Sequence, residues 1–276
     1  MIRTVLTAAM FLPFAAQAQT TGKWEVKVAP AECSLIRTVT GPAPALLAIR
    51  TVTGTDQYVV LASGKEVPVG NKPFPATLGF DAAKPAPTNA TPAGRLAAGP
   101  AVQFFELKPS VLDDFAAAKS VAMGTGAGSF ARFDLPNARG AIGALRKCVA
   151  DQLVDWGADP AQFAPGGTPP VALKPSDDWL TNEQMLKLGV GVSGGIDYLY
   201  RVTVSTSGTV ESCKRDTAGP GDKDEKLGCD PLIGQKLFKP AKNAAGAPVK
   251  GVATFRVTLV KQAMVEGPSA PPAPIR

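Results

Sequence analysis

Tyr198-Leu-Tyr-Arg-Val-Thr-Val-Ser-Thr-Ser-Gly-Thr-Val-Glu-Ser-Cys213 alternates apolar and polar residues on both sides of Ser207-Gly208. That is the pattern of two strands joined by a tight hairpin. Tyr198, Tyr200, Val202 and Val204 share one face of the first strand, and Arg201, Thr203 and Ser205 the other. Val210 to Lys214 forms the second strand. Further along, Val252 to Val260 alternates again, with Ala253, Phe255, Val257 and Leu259 on one face. Three strands with one apolar face each need a covering layer, and the flanking segments supply it.

Upstream, Thr181-Asn-Glu-Gln184 fits a capping box, in which Thr181 accepts the amide of residue 184 and Gln184 reaches back. Met185, Leu186 and Leu188 would bury one side of that short helix, and Gly189 to Gly195 interrupts the chain before the first strand. Downstream, the charged, glycine-rich stretch Asp216 to Lys226 reads as an exposed loop. A helix is expected near Asp230 to Leu237, presenting Leu232, Ile233 and Leu237 to the sheet. Cys229 at its start would then meet Cys213 and pin helix to strand. Pro240 in Phe238-Lys-Pro-Ala241 stops the helix.

The order strand, Ser-Gly turn, strand, helix, Phe-Lys-Pro-Ala, then Gly246-Ala-Pro-Val249 and a last strand resembles the C-terminal domain of TonB-type energy transducers, over roughly Pro175 to Val260. The resemblance implies a small ββαβ two-layer domain. It also implies a non-enzymatic role, in which a short receptor peptide adds as an extra strand to an exposed sheet edge. By position that edge is the last strand, with Val252, Thr254, Arg256 and Thr258 as candidate partner-binding residues. Three features depart from the family pattern. Trp179-Leu180 stands where the family has Tyr-Pro, a folded domain replaces the long proline-rich arm, and no long uncleaved anchor helix is apparent.

The termini indicate a compartment. Arg3, the apolar run Val5 to Ala15 and Ala16-Gln17-Ala18 compose an export signal over residues 1–18. The run is shorter than the ~20 residues that span a bilayer. The expected location is the periplasm, with an inner-membrane anchor facing the periplasm as the alternative. Four cysteines, Cys33, Cys148, Cys213 and Cys229, suit an oxidising compartment. Of three possible connectivities, Cys33–Cys148 with Cys213–Cys229 keeps each bond within one proposed domain. The second bond closes a loop of about fifteen residues, a contribution of roughly 3 kcal/mol by chain entropy.

The chain has no histidine, which removes Ser-His-Asp and Cys-His nucleophiles and most zinc sites. The cysteine spacings are not paired Cys-x-x-Cys. No Ser-x-x-Lys set stands at a helix start, so no catalytic, cofactor-binding or metal-ligating residue is nominated. The net charge of +6 comes from scattered Lys and Arg with few aromatics, which argues against nucleic acid.

Between the termini, Lys23 to Val28, Cys33 to Val39, Ala45 to Val52 and Gln57 to Ala62 read as antiparallel strands in sequence order. Gly64 to Pro100 reads as strand fragments joined by long loops, and Ala101 to Leu107 as a strand. Ser110 would cap a helix over Val111 to Lys119. Met123-Gly-Thr-Gly-Ala-Gly-Ser129 reads as a flexible connector into a strand from Phe130 to Leu135. It does not read as a phosphate loop, which follows a strand and opens a helix. Asn137 would cap a long helix from Ala138 to Trp156, whose stripe is Ile142, Leu145, Val149, Leu153 and Trp156, with Gly157 ending it. Trp24-x-Val26 and Cys33-x-Leu35 resemble the invasion-associated protein B family of exported proteins.

The expected organisation is α+β. Residues 1–18 are the signal and 19–162 a mostly antiparallel β domain with one long helix. Residues 163–175 are an extended Pro/Gly linker, 176–262 the TonB-like domain and 263–276 a disordered Pro-rich tail. The leading functional expectation is a periplasmic binding or adaptor protein that holds an extended peptide of an envelope or outer-membrane partner. The alternatives are a membrane-anchored energy transducer and a structural envelope protein. No small-molecule cofactor is expected.

Overall fold

The computed structural model describes residues 20–55, 57–126, 128–189, 196–216 and 222–259. The expected signal, the Pro-rich tail and most of the Gly189–Gly195 break lie outside the described residues. The chain mixes helix with a large antiparallel sheet. It divides into two compact units. The described part of the first comprises residues 20–27, 34–50, 57–126 and 128–143, and that of the second 28–33, 51–55, 144–189, 196–216 and 222–259.

Nine strands make one sheet: β1 (Thr20–Ala29), β2 (Glu32–Thr40), β3 (Ala45–Val52), β4 (Tyr58–Gly64), β5 (Phe74–Phe80), β6 (Ala86–Leu96), β7 (Gly99–Leu107), β8 (Ser120–Thr125) and β9 (Gly128–Asp134). Their order is β1-β2-β3-β4-β7-β6-β5-β8-β9. The first four follow the sequence as expected, and then β7 pairs with β4 ahead of β5 and β6. The Pro- and Gly-rich stretch from 64 to 100 thus holds two full strands of that sheet, β5 and β6, and the start of β7. The residues read as a connector are the β8–β9 hairpin, where Met123 pairs with Ala131 and Thr125 with Gly128. Glycine at 124 is required there, since a Cβ would stand 2.6 Å from the Gly128 carbonyl oxygen.

Helix α1 (Val111–Ala117) seats Phe115 edge-on against Phe80, ring centroids 4.9 Å apart. Leu35, Leu47, Val60, Phe104, Met123, Phe133 and Ile142 are almost fully buried in the first unit. Helix α2 (Ala138–Asp155) spans the long apolar stripe.

The second unit is built on a three-stranded sheet, β12-β11-β16, of β11 (Ile196–Val204), β12 (Val210–Arg215) and β16 (Gly251–Leu259). All nine residues of β11 pair with β16, from Ile196 with Leu259 to Val204 with Gly251. One face carries the core of Tyr198, Tyr200, Val202, Val204, Phe255 and Val257. Trp179 is buried in this core. Its ring lies 5.1 Å from those of both Phe238 and Phe255. Helix α3 (Asn182–Gly189) opens with the expected capping box. The Thr181 amide donates to Gln184 Oε1 at 2.7 Å, and the Gln184 amide to Thr181 Oγ1 at 3.3 Å. Leu188 is buried, but Leu186 is 71 % exposed rather than packed.

Three expectations are corrected. The helix near Asp230 to Leu237 is absent, and α4 lies one step earlier, at Asp222–Cys229. Pro231 disfavours the helical state in the residue before it, so α4 ends at Cys229 and the chain turns through residues 230–234. Cys229 therefore stands at the end of a helix. Finally, the linker is not a free polyproline spacer. Its residues Val171–Ala172, strand β10, pair with Phe238–Lys239, strand β13. The Thr168 and Lys242 backbones exchange bonds at 2.9 and 3.0 Å, and the Leu173 amide donates to Leu237 at 2.8 Å. Beyond β13 the chain closes a short hairpin of β14 (Ala241–Lys242) with β15 (Pro248–Val249).

Both disulfides join as expected: Cys33 with Cys148, and Cys213 with Cys229. Among the described residues no helix is long and apolar enough to cross a membrane.

Candidate functional site

The two outer strands of the three-stranded sheet meet different surroundings. On β12 the Arg215 amide donates to Glu225 Oε2 at 3.0 Å, and the Cys213–Cys229 bond ties the strand to α4. The Tyr198 hydroxyl donates to Asp224 Oδ2 at 2.8 Å and the Tyr200 hydroxyl to the Asp224 carbonyl at 2.9 Å. Arg215 reaches the same Asp224 carboxylate at 3.4 Å and stacks 5.0 Å from the Tyr198 ring. Burial raises both tyrosine pKa values, and Asp224 pushes the same way. These phenols are donors held in a core. Helix α4 is tied to the far end of β12, and the Gly234–Gln235 backbone bonds its start at Val210.

The other edge, β16, carries the four residues nominated from the sequence. The Thr254 amide donates outward, away from β11, to the Gly54 carbonyl at 3.4 Å. Because a strand alternates with period two, Val252, Thr254, Arg256 and Thr258 all present their N–H groups to the outer edge. The structure thus lines the four along one row but divides them into two pairs.

The first pair is covered within the second unit. Val252 is 3 % exposed and packs with Leu153 of α2 and Ala158. The Thr254 hydroxyl donates to the Thr53 carbonyl at 3.0 Å. The turn that reaches Thr254 depends on Gly54, which has φ +84 and whose added Cβ would meet the Thr254 side chain at 3.0 Å. Gln152 of α2 holds the neighbouring backbone: its amide nitrogen donates to the Ala29 carbonyl at 2.6 Å, and its oxygen accepts from Thr53.

The second pair is open. Arg256 and Thr258 are exposed. Their side chains converge on Asp197, with Arg256 Nη1 to Oδ2 at 2.8 Å and Thr258 Oγ1 to Oδ1 at 3.1 Å. Among the described residues no hydrogen-bond acceptor meets their amides. Phe255 and Val257, on the opposite face, are each 4 % exposed and hold the backbone extended. The open edge is thus a short row of donors and acceptors on a rigid strand, beside one charge-balanced Arg–Asp pair.

The face of β11 opposite its aromatic core is covered as well. Arg201 lies 4.6 Å over the Trp156 ring and 3.3 Å from Asp216. Burial raises the Asp216 pKa despite the attraction of Arg201, and its Oδ2 has no partner among the described residues. The roles of Thr53 and Gly54 were not nominated. Gly54-Thr-Asp56 reads locally as punctuation between strands, and its contact with Thr254 spans two hundred residues of chain.

No cluster of cysteine and carboxylate side chains among the described residues could hold a metal ion. No family model, curated protein or solved structure matches the chain.

Proposed function

We propose that the protein is an exported, non-enzymatic binding protein of the cell envelope. Its three-stranded module, TonB-like in layout, holds an extended peptide by strand addition along Arg256 to Leu259. The observation that carries this reading is the split edge of β16, covered at Val252 and Thr254 and open at Arg256 and Thr258. An edge strand with unpaired backbone groups is the ordinary docking place for an extended segment. The partner is a peptide or protein of the envelope, and no cofactor takes part. The two disulfides fit an oxidising compartment, for which the periplasm is the proposed address.

The second reading, a structural envelope protein, is favoured by the Thr254–Gly54 bond, which uses part of the edge internally. Peptide binding separates the two. A labelled peptide from the periplasmic face of an outer-membrane receptor should bind the full-length protein saturably. Thr258→Pro or Arg256→Pro removes one outward N–H and should weaken binding at least tenfold, while Thr258→Ser leaves it unchanged. Unaltered affinity in folded proline variants would remove strand addition at this edge, and absence of any saturable binding would favour the structural role.

A further inference from the structure

Strand β2 alternates so that Cys33, Leu35, Arg37 and Val39 turn to the buried side. Arg37 is the cation in that apolar row and is 2 % exposed. The Trp24 ring lies 5.4 Å from its guanidinium carbon. Its Nε and Nη2 have no hydrogen-bond partner among the described residues. A buried charge without a contacting counter-ion is costly and is normally paired. Burial lowers the Arg37 pKa, and Asp134 counters that only in part.

Arg37 lines an open cleft of about 510 Å³ in the first unit. Lys119, Asp134, Asn137, Ala138 and Arg139 are among its other walls. Lys119 and Arg139 are exposed at its rim. Ala138 and Arg139 begin α2, so the positive end of an eighteen-residue helix opens into the same space. Helices commonly place Asp or Glu in the first turn to meet that end, and α2 has none there. Asn137, in the left-handed conformation at φ 53, turns the chain into the helix. Three cations therefore face one carboxylate, and the helix start adds to the same sign.

We propose that this cleft binds a phosphate-type oxyanion. A dianion matches the net excess of two positive charges among Arg37, Lys119, Arg139 and Asp134. It supplies the counter-charge that the buried guanidinium lacks. Lys119 and Arg139 hold it from the rim, and Arg37 acts through its charge from the wall. The Ala138 amide is already bonded to the Leu135 carbonyl and the Ala141 amide to that of Asn137, so the Arg139 and Gly140 amides donate to its oxygens. This site is independent of the β16 edge and of the reading placed on it.

Calorimetric titration of the full-length protein with inorganic phosphate, against sodium chloride of equal ionic strength, tests the proposal. One saturable site is expected, with affinity at least tenfold weaker in the double variant Lys119→Gln/Arg139→Gln, whose exposed positions leave the core intact. Asp134→Asn should tighten binding severalfold, and Arg37→Met should abolish it if that variant folds. Methyl phosphate identifies the source: tighter binding than phosphate indicates a phosphomonoester and weaker binding the free ion, and both support the site. No saturable heat beyond the chloride control, or a double variant that binds like the parent, would overturn it.

Discussion

Gly228 shows how tightly single residues are specified. A Cβ there would stand 2.3 Å from Tyr200 Cζ, and Tyr200 is fully buried and stacked 5.0 Å from Phe255. Gly228→Ala gains roughly 1 kcal/mol of helix propensity but forces an overpacked ring, so a net loss of about 1–2 kcal/mol is expected. A urea midpoint equal to the parent's would contradict this. Asp216 gives a pH signature. Its folded pKa is raised above the ordinary 3.8, by burial first, with Arg201 opposing. Its contribution is therefore full below pH 3.8 and is lost as pH rises through the higher folded value. Asp216→Asn should remove that loss and leave the protein at least as stable at neutral pH, as measured by denaturant unfolding across pH. An Asn variant that keeps the slope would assign it elsewhere. Residues that obey a local rule, such as Thr181 and Gln184, were legible from sequence. Arg37 was legible as a strand residue, but its lack of a partner depends on neighbours distant in sequence.

At the scale of elements, the strands of the second unit were readable because one apolar face forces a strict two-residue period. Helix α4 was not. Its sequence is charged and lacks an apolar stripe, so it resembles a loop until the Cys213–Cys229 bond and the Asp224 hydrogen bonds hold it in place. Removing that bond by Cys213→Ser/Cys229→Ser frees the loop between two positions sixteen apart in sequence and should cost roughly 3 kcal/mol. An unchanged melting temperature would show that α4 docks without it. The prolines of the 163–175 segment concealed β10 in the same way, because proline composition signals an extended chain but not what the chain lies against. Val171 and Leu173 are 52 % and 50 % exposed, yet the segment is bonded to β13 and its neighbours. Thermolysin acting on the native protein should therefore spare the bonds preceding Val171 and Leu173. Early cleavage there would contradict the pairing.

For the whole molecule, the mixture of helix and antiparallel sheet was visible in the alternation of the chain. The sheet order was not, since β7 joins β4 through pairings that no local pattern encodes. The division between units falls between Gly143 and Ala144, inside α2, rather than in the proline-rich segment. An amphipathic helix looks continuous in sequence whichever unit each turn packs with. The same non-local packing makes half of the β16 edge internal and leaves half open. Peptide binding by strand addition at the open half is the proposal, and it is read residue by residue by amide hydrogen exchange with a receptor peptide bound. Marked slowing is expected at the Arg256 and Thr258 amides and no change at Thr254, whose amide is already bonded to Gly54. Binding that leaves Arg256 and Thr258 exchanging at their free rates would contradict it.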